Sequence, residues 1–161
     1  MQMDDASEVT AMAVDALART RQRGVLLTTR GGLSGDNLPD HVIGVESAPH
    51  DWLFPRMSAI VHHGGAGTTA AAVRAGVPSV VVPFFADQPF WASRLSDLRI
   101  APRPVSRRSL TAARLADAIR AATSDPGMKR RALLAGDRVR AEDGVARAVE
   151  VFERNGRDLR A

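Results

Sequence analysis

The stretch Ile60-Val61-His62-His63-Gly64-Gly65-Ala66-Gly67-Thr68-Thr69-Ala70-Ala71-Ala72 joins an apolar run to two histidines, a glycine-rich turn and two threonines, and then becomes helical in pattern. This order predicts a strand, a tight loop and a helix N-terminus. Free backbone N–H groups and the positive end of the helix dipole converge at such a junction, which suits an anion, above all a phosphate or diphosphate. Gly64, Gly65 and Gly67 let the backbone turn tightly and approach a ligand. Thr68 and Thr69 stand where an N-cap is expected and bring hydroxyl and N–H donors. His63 adds a ring N–H or a positive charge. The same residues also read as a capped strand-to-helix turn with no ligand, and His62 reads equally well as a satisfied histidine at a strand end.

Outward from this loop, helical and strand patterns alternate. Residues 5–22 read as a helix ended by Gly24, 25–29 as a buried strand, 30–41 as a Gly/Asn/Pro/Asp loop and 42–45 as a second strand. A short helix over 51–54 ends before Pro55. Strands follow at 58–63 and 79–83, separated by a helix over 68–75 with Gly76 as its C-cap. Helices are expected over 89–97, 109–122, 126–140 and 143–155, with a weak strand near 99–101. Short connections between alternating elements imply an α/β fold: one doubly wound, Rossmann-like parallel sheet with helices on both faces and right-handed crossovers. The 161 residues are expected to form a single domain. Ligands bind such sheets at the carboxyl ends of the strands. The 62–69, 47–50 and 84–88 segments should therefore gather on one edge.

Two of these segments carry further chemistry. Asp87-Gln88 follows a strand and opens a helix; a carboxylate beside a carboxamide offers acceptors and donors together, which suits vicinal hydroxyls of a sugar. Asp87 also reads simply as an N-cap before Gln-Pro. The backbone of Ser47-Ala48-Pro49-His50 could bracket a nucleobase, while Trp52 reads as a core or helix-packing residue.

Other chemistries fit less well. Gly65-Ala66-Gly67-Thr68-Thr69-Ala70 matches the dinucleotide fingerprint, but the acid expected at the tip of the next strand has only Asp87 as a candidate. A Walker loop is excluded by the absence of Gly-Lys-Ser/Thr, and no Gly-x-Ser-x-Gly elbow is present. Histidines and acids lack metal-ligand spacing, so no metal is expected. No run approaches membrane-spanning length, and no signal peptide is expected. The absence of cysteine rules out disulfides and fits a cytoplasmic location. The net charge of +4 would suit nucleic acid, but Arg114/Asp117, Arg138/Glu142 and Arg147/Glu150 pair base with acid as on a solvated helix surface. Aromatic residues are not interleaved with basic ones for stacking, so nucleic acid is not the expected partner.

Together, Pro49-His50-Asp51-Trp52-Leu53-Phe54, His62-His63-Gly64-Gly65-Ala66-Gly67-Thr68-Thr69, Arg74-Ala75-Gly76-Val77-Pro78 and Pro83-Phe84-Phe85-Ala86-Asp87-Gln88 resemble the C-terminal, donor-binding half of GT-B glycosyltransferases of family 1, in the group acting on sterols and on macrolide and glycopeptide antibiotics. Glu142-Asp143-Gly144-Val145 is similar to the start of that family's C-terminal helix. The resemblance implies an inverting, metal-independent hexosyltransferase that uses a UDP- or dTDP-sugar. It assigns His63, Gly65, Gly67, Thr68 and Thr69 to the donor diphosphate, Asp87 and Gln88 to the sugar, and Ser47, Ala48 and His50 to the nucleobase pocket. Ser47 stands where plant members place a base-stacking Trp.

The resemblance also implies an N-terminal domain, absent here, that holds the acceptor and the catalytic base. It further implies a first central strand ahead of the first helix. The chain is therefore expected to be a fragment, or a reading frame begun at an internal Met, with no transfer activity alone. A non-catalytic nucleotide-sugar module and a dinucleotide-binding domain are the alternatives.

Overall fold

The computed structural model describes residues 3–28 and 37–158. The elements are α1 (Met3–Thr20), β1 (Gly24–Leu27), β2 (Val42–Val45), α2 (His50–Leu53), a 3-10 turn (Phe54–Arg56), β3 (Ile60–His62), α3 (Ala66–Ala75), β4 (Ser79–Val81), α4 (Gln88–Asp97), a second 3-10 turn (Arg107–Ser109), α5 (Ala112–Ser124), α6 (Pro126–Ala141) and α7 (Gly144–Asp158). All strand pairing is parallel, as the alternation requires. Gly24 to Leu27 pair with Val42 to Val45, and Ile60 to His62 with Ser79 to Val81.

Side-chain alternation along the strands builds two layers. Val80 and Val82 pack with Ala16 of α1 and with Leu115, Ala116 and Ile119 of α5. Val81, between them, points the other way, onto Ala92 and Leu95 of α4 and Ala132 of α6. Ile60 packs with Leu53, Phe54 and Ala72 of α2, the following turn and α3. Helices thus cover both faces, as a doubly wound sheet demands. The sheet itself is divided into two strand pairs, β1–β2 and β3–β4, and no ladder joins them among the described residues.

Several local expectations need correction. Residues 99–101 form no strand: Ile100 and Ala101 are buried, and the Ile100 carbonyl accepts from Ser79 N–H, but the N–H groups of Arg99 and Ile100 turn back to Ser96 O and Leu95 O at the end of α4. Pro102 and Pro104 have no N–H to extend a ladder. The first helix stops at Thr20, where Arg21 turns left-handed (φ 54°); Gly24 opens β1 instead. Pro55 lies within a 3-10 turn that prolongs the short helix. α5 begins after Thr111, whose hydroxyl caps Arg114 N–H, rather than at residue 109. Asp117 pairs with Arg120 and Asp137 with Arg140, one turn of helix apart, in place of the pairs read from adjacency. Most of the expected 30–41 loop, and Thr29, lie outside the described residues.

Two features hold the site's scaffold. Gly76 caps α3 at φ 71°, and a Cβ there would lie 3.2 Å from Leu133 Cα of α6. The Arg140 guanidinium of α6 donates to the Arg74 carbonyl at the same end of α3. His62, at the end of β3, is buried; its Nδ1 accepts the Gly64 N–H at 3.1 Å. Burial, reinforced by the nearby His63 and His50, lowers its pKa from 6.5 to about 4.

Two outcomes follow. Gly76→Ala forces a left-handed Cβ against α6 and should cost about 1–3 kcal/mol in chemical denaturation; an unchanged midpoint would mean that the cap is not strained. For His62, the unfolded chain takes up a proton below about pH 6.5 that the folded chain refuses until about pH 4. Its contribution is complete above the unfolded pKa and declines as pH falls through that window, by up to about 3 kcal/mol. His62→Asn keeps an acceptor for Gly64 N–H and should flatten this slope; an identical slope in the variant would assign the pH dependence elsewhere.

Candidate functional site

The loop after β3 is shaped by two close approaches. Gly64 adopts φ +92°, and a Cβ there would lie 2.9 Å from Val81 Cγ1 and 3.1 Å from the Gln88 carbonyl oxygen. The His-Gly loop therefore rests directly on the start of α4, and two motifs that are far apart in the sequence become one site. At Gly65 a Cβ would lie 2.5 Å from His63 Nε2, so the exposed His63 imidazole lies across this glycine.

α3 begins earlier than its threonines suggested. Its N-cap is Gly65, extended (φ −62°, ψ 144°) and with no side-chain capping bond. Thr69 N–H donates to Gly65 O at 2.9 Å, the first bond of the helix. The amides of Ala66, Gly67 and Thr68 thus have no intrahelical partner, and no side chain caps them. Thr68 and Thr69 sit inside the first turn rather than at the cap. Thr69 is buried, and its hydroxyl has no hydrogen-bond partner. A Cβ at Gly67 would meet nothing within 4 Å, so the space before the helix is open. Open space, three free amides and an adjacent imidazole make an anion cradle.

Across the loop, Gln88 is buried and Asp87 exposed. Gln88 Oε1 accepts from the backbone N–H groups of Phe84 (2.8 Å) and Phe85 (3.2 Å). The carboxamide oxygen thus braces the loop, and its NH₂ is the part left for a ligand. Asp87 occupies the N-cap position of α4 without a side-chain capping bond; its carboxylate accepts from Trp91 Nε1 at 2.8 Å instead. The Arg107 guanidinium lies 4.8 Å from the Phe84 ring centroid. Sequence reading missed it, because a lone arginine after Pro104-Val105-Ser106 carries no motif signal.

His50 stacks on Phe54, with centroids 4.3 Å apart. Ala48 packs beside Leu53 and Phe54, and Ser47 is exposed. Trp52 is not a core residue: it is 56% exposed, with the Arg56 guanidinium 4.5 Å over its ring. A cavity of about 930 Å³ is bordered at this end by His50, His62, His63, Thr68 and Phe84. Ser47, Asp87 and Gln88 lie outside its wall. Among the described residues no three His, Asp or Glu side chains converge as metal ligands, and no helix is long and apolar enough to cross a membrane.

Residues 12–149 match the family model of the erythromycin biosynthesis protein CIII-like C-terminal domain. The chain is 49% identical over 138 residues to an O-mycaminosyltylonolide 6-deoxyallosyltransferase of Streptomyces fradiae, covering 86% of this chain and 32% of that protein. It is 40% identical over 157 residues to a sterol 3-beta-glucosyltransferase of Arabidopsis thaliana, covering 96% of this chain and 25% of the relative. Among solved structures, a kitacinnamycin glycotransferase superposes with a TM-score of 0.82 at 29% identity, covering 91% of this chain and 39% of that one. The glycosyltransferase VinC in complex with DTDP gives 0.71 at 31% identity, covering 88% and 37%. The chain spans about a quarter to a third of these two curated relatives. It belongs to the erythromycin biosynthesis protein CIII-like C-terminal domain family, the C-terminal half of family 1 GT-B glycosyltransferases.

Proposed function

We propose that this domain holds the nucleoside-diphosphate sugar, UDP- or dTDP-linked, for an inverting transfer to an acceptor hydroxyl. The carrying observation is the contact of Gly64 with Val81 and Gln88, which sets the uncapped α3 N-terminus, the His63 ring and the Asp87–Gln88 loop around one opening. The similarity to a glycosyltransferase in complex with DTDP supports the same ligand class.

The diphosphate takes the amides of Ala66, Gly67 and Thr68, the Thr68 hydroxyl and a His63 ring N–H. Gly65 admits the imidazole and Gly67 leaves room for phosphate oxygens; Thr69 supports the turn from its buried side. Asp87 accepts from sugar hydroxyls and the Gln88 NH₂ donates to them. Ser47, Ala48 and His50 border the nucleobase. In the transfer, the acceptor oxygen bonds to the anomeric carbon as the bond to the diphosphate oxygen breaks. The electron pair leaves on the diphosphate, and the acceptor proton goes to a base outside these 161 residues. The helix N-terminus and the His63 N–H lie where that charge grows, so they lower its energy most in the transition state. This is the work a metal would otherwise do. The acceptor, a lipid or natural product, is held by another domain. The absence of cysteine supports a cytoplasmic setting.

Calorimetry with UDP, UDP-glucose, dTDP and NAD tests this reading. A uridine or thymidine diphosphate should bind best, and His63→Ala should weaken it by about 1.5–3 kcal/mol. Preferential NAD binding would overturn the donor assignment, and an unchanged affinity would make His63 a packing residue. The 161-residue chain should transfer no sugar; transfer by the purified chain would place the base within it.

A further inference from the structure

The 84–88 loop carries Asp87 and Gln88 between β4 and α4. Its shape is held by contacts rather than by backbone preference. Ala86 adopts φ 55°, a left-handed conformation that a Cβ disfavours. Gln88 Oε1 fastens the loop from within, through the N–H groups of Phe84 and Phe85. A second fastening comes from a later part of the chain.

After β4 ends at Val81, the chain leaves the sheet through this loop, α4 and the Pro102-Arg103-Pro104 stretch. It returns at Val105, whose N–H donates to Val81 O at 3.0 Å and whose side chain is buried in the cluster of Val80 and Val82. Arg107 lies two residues past this return, and Phe84 three residues past Val81, so both reach the same edge. The Arg107 backbone is also held on its far side. Leu110 N–H donates to Arg107 O at 3.2 Å and Ser109 N–H to Ser106 O at 2.9 Å, in the 3-10 turn that leads into the Thr111 cap of α5. From this fixed base the guanidinium reaches to 4.8 Å from the Phe84 ring centroid. A planar, weakly hydrated cation that is always charged suits the face of an aromatic ring.

Phe84 connects this stack to the site. Its N–H donates to Gln88 Oε1 at 2.8 Å, and it borders the cavity end that His63 and Thr68 share. A Phe84 free to swing would loosen the peptide that Gln88 braces, and with it the Gln88 NH₂ and the Asp87 carboxylate. The phosphate cradle is secured elsewhere, through the Gly76 cap of α3 and the bond from Arg140 to Arg74 O.

We infer that Arg107 is a positioning residue for the sugar end of the donor site: its guanidinium, stacked on Phe84, fixes the 84–88 loop so that Asp87 and Gln88 meet the sugar hydroxyls. It acts through Phe84 and not on the ligand. The inference rests on the donor reading above and adds a residue to it.

The test compares Arg107→Met, which keeps length without charge, and Arg107→Lys, which keeps a cation, with the unaltered 161-residue chain. Calorimetry uses UDP, UDP-glucose, dTDP and dTDP-glucose, and amide hydrogen exchange is read at Phe84 and Phe85 without ligand. Arg107→Met should weaken the nucleotide sugar by about three- to tenfold and leave the free nucleotide unchanged, and Arg107→Lys should restore most of the loss. Exchange at the Phe84 and Phe85 amides should quicken by about the same factor in Arg107→Met. An equal loss for UDP and UDP-glucose would overturn the inference, because Arg107 would then serve the phosphates or the whole site. A Lys variant no better than Met would overturn it too, since the charge over the ring would not be what holds the loop. If no nucleotide binds the unaltered chain, the donor reading fails by itself. The exchange rates then decide separately whether Arg107 fastens the loop, and unchanged rates would show that it does not.

Discussion

The site depends on the approach of Gly64 to Val81 and to the Gln88 backbone. Parallel strands bring their carboxyl ends to one edge, but adjacency alone does not fix two loops against each other. Here the fixing is steric. With φ at +92° and under 3 Å between an added Cβ and Val81 Cγ1, this position has no room for a side chain. The hydrogen bond from Gly64 N–H to His62 Nδ1 holds the other side of the turn. Gln88, buried beneath, then ties the Phe84–Phe85 backbone into the same unit. Three segments become rigid together, so a ligand meets a pre-formed surface, which lowers the ordering cost of binding.

The start of α3 trades stability for that surface. A Ser, Thr or Asp at the N-cap is worth about 1 kcal/mol over a residue that cannot cap. Gly65 forgoes a capping side chain, and its lack of a Cβ admits the His63 imidazole instead. The helix is held at its other end, where Gly76 caps it and Arg140 bonds to Arg74 O, and along its side by Gly136, so close to Val73 O that a Cβ there would lie 2.9 Å away. Packing on α6 secures the helix, and its N-terminal amides stay available.

Order and chemistry were legible in the sequence to different depths. The sequence pattern found the four strands and each long helix, because short apolar runs, helical spacing and Gly76 are local signals, but it did not show how the strands pair. It placed the α3 cap three to four residues late, since Thr68-Thr69 looks like a cap when the extended Gly65 cannot be seen. It named Asp87 and Gln88 together, yet their surroundings separate them: one carboxylate is exposed on Trp91, the other side chain buried as a brace. Trp52 was misread because size suggests burial, whereas its contact is a surface guanidinium. Arg107 could not be found at all, because its place beside Phe84 is set by the chain path after β4.

The divided sheet sets the energetic frame for all of this. Val25 and Leu27 of β1 and Val61 of β3 turn six backbone groups away from their ladder partners, toward the slot that the cavity of about 930 Å³ forms between the two strand pairs. Left dry, each would cost about 1–3 kcal/mol, together comparable with the 5–15 kcal/mol that separates a folded domain from its unfolded chain. The slot must then be wet or filled. At about 930 Å³ it has room for on the order of thirty waters at liquid density. Water satisfies the edges but meets the half-buried apolar side chains of Val9 and Leu17, while Leu53 and Phe54 stay buried. The two halves are then joined by helix packing, chiefly α1 against α5 around Ala16, rather than by a ladder. β3 belongs to the β3–β4 half and carries the His-Gly loop, whereas His50 and Ala48 follow β2 in the other half. Ala48, Leu53 and Phe54 nonetheless pack on Ile60 of β3 and Ala72 of α3, and His50 stacks on Phe54, so side-chain packing ties the 47–50 segment to the loop after β3 across the division of the sheet.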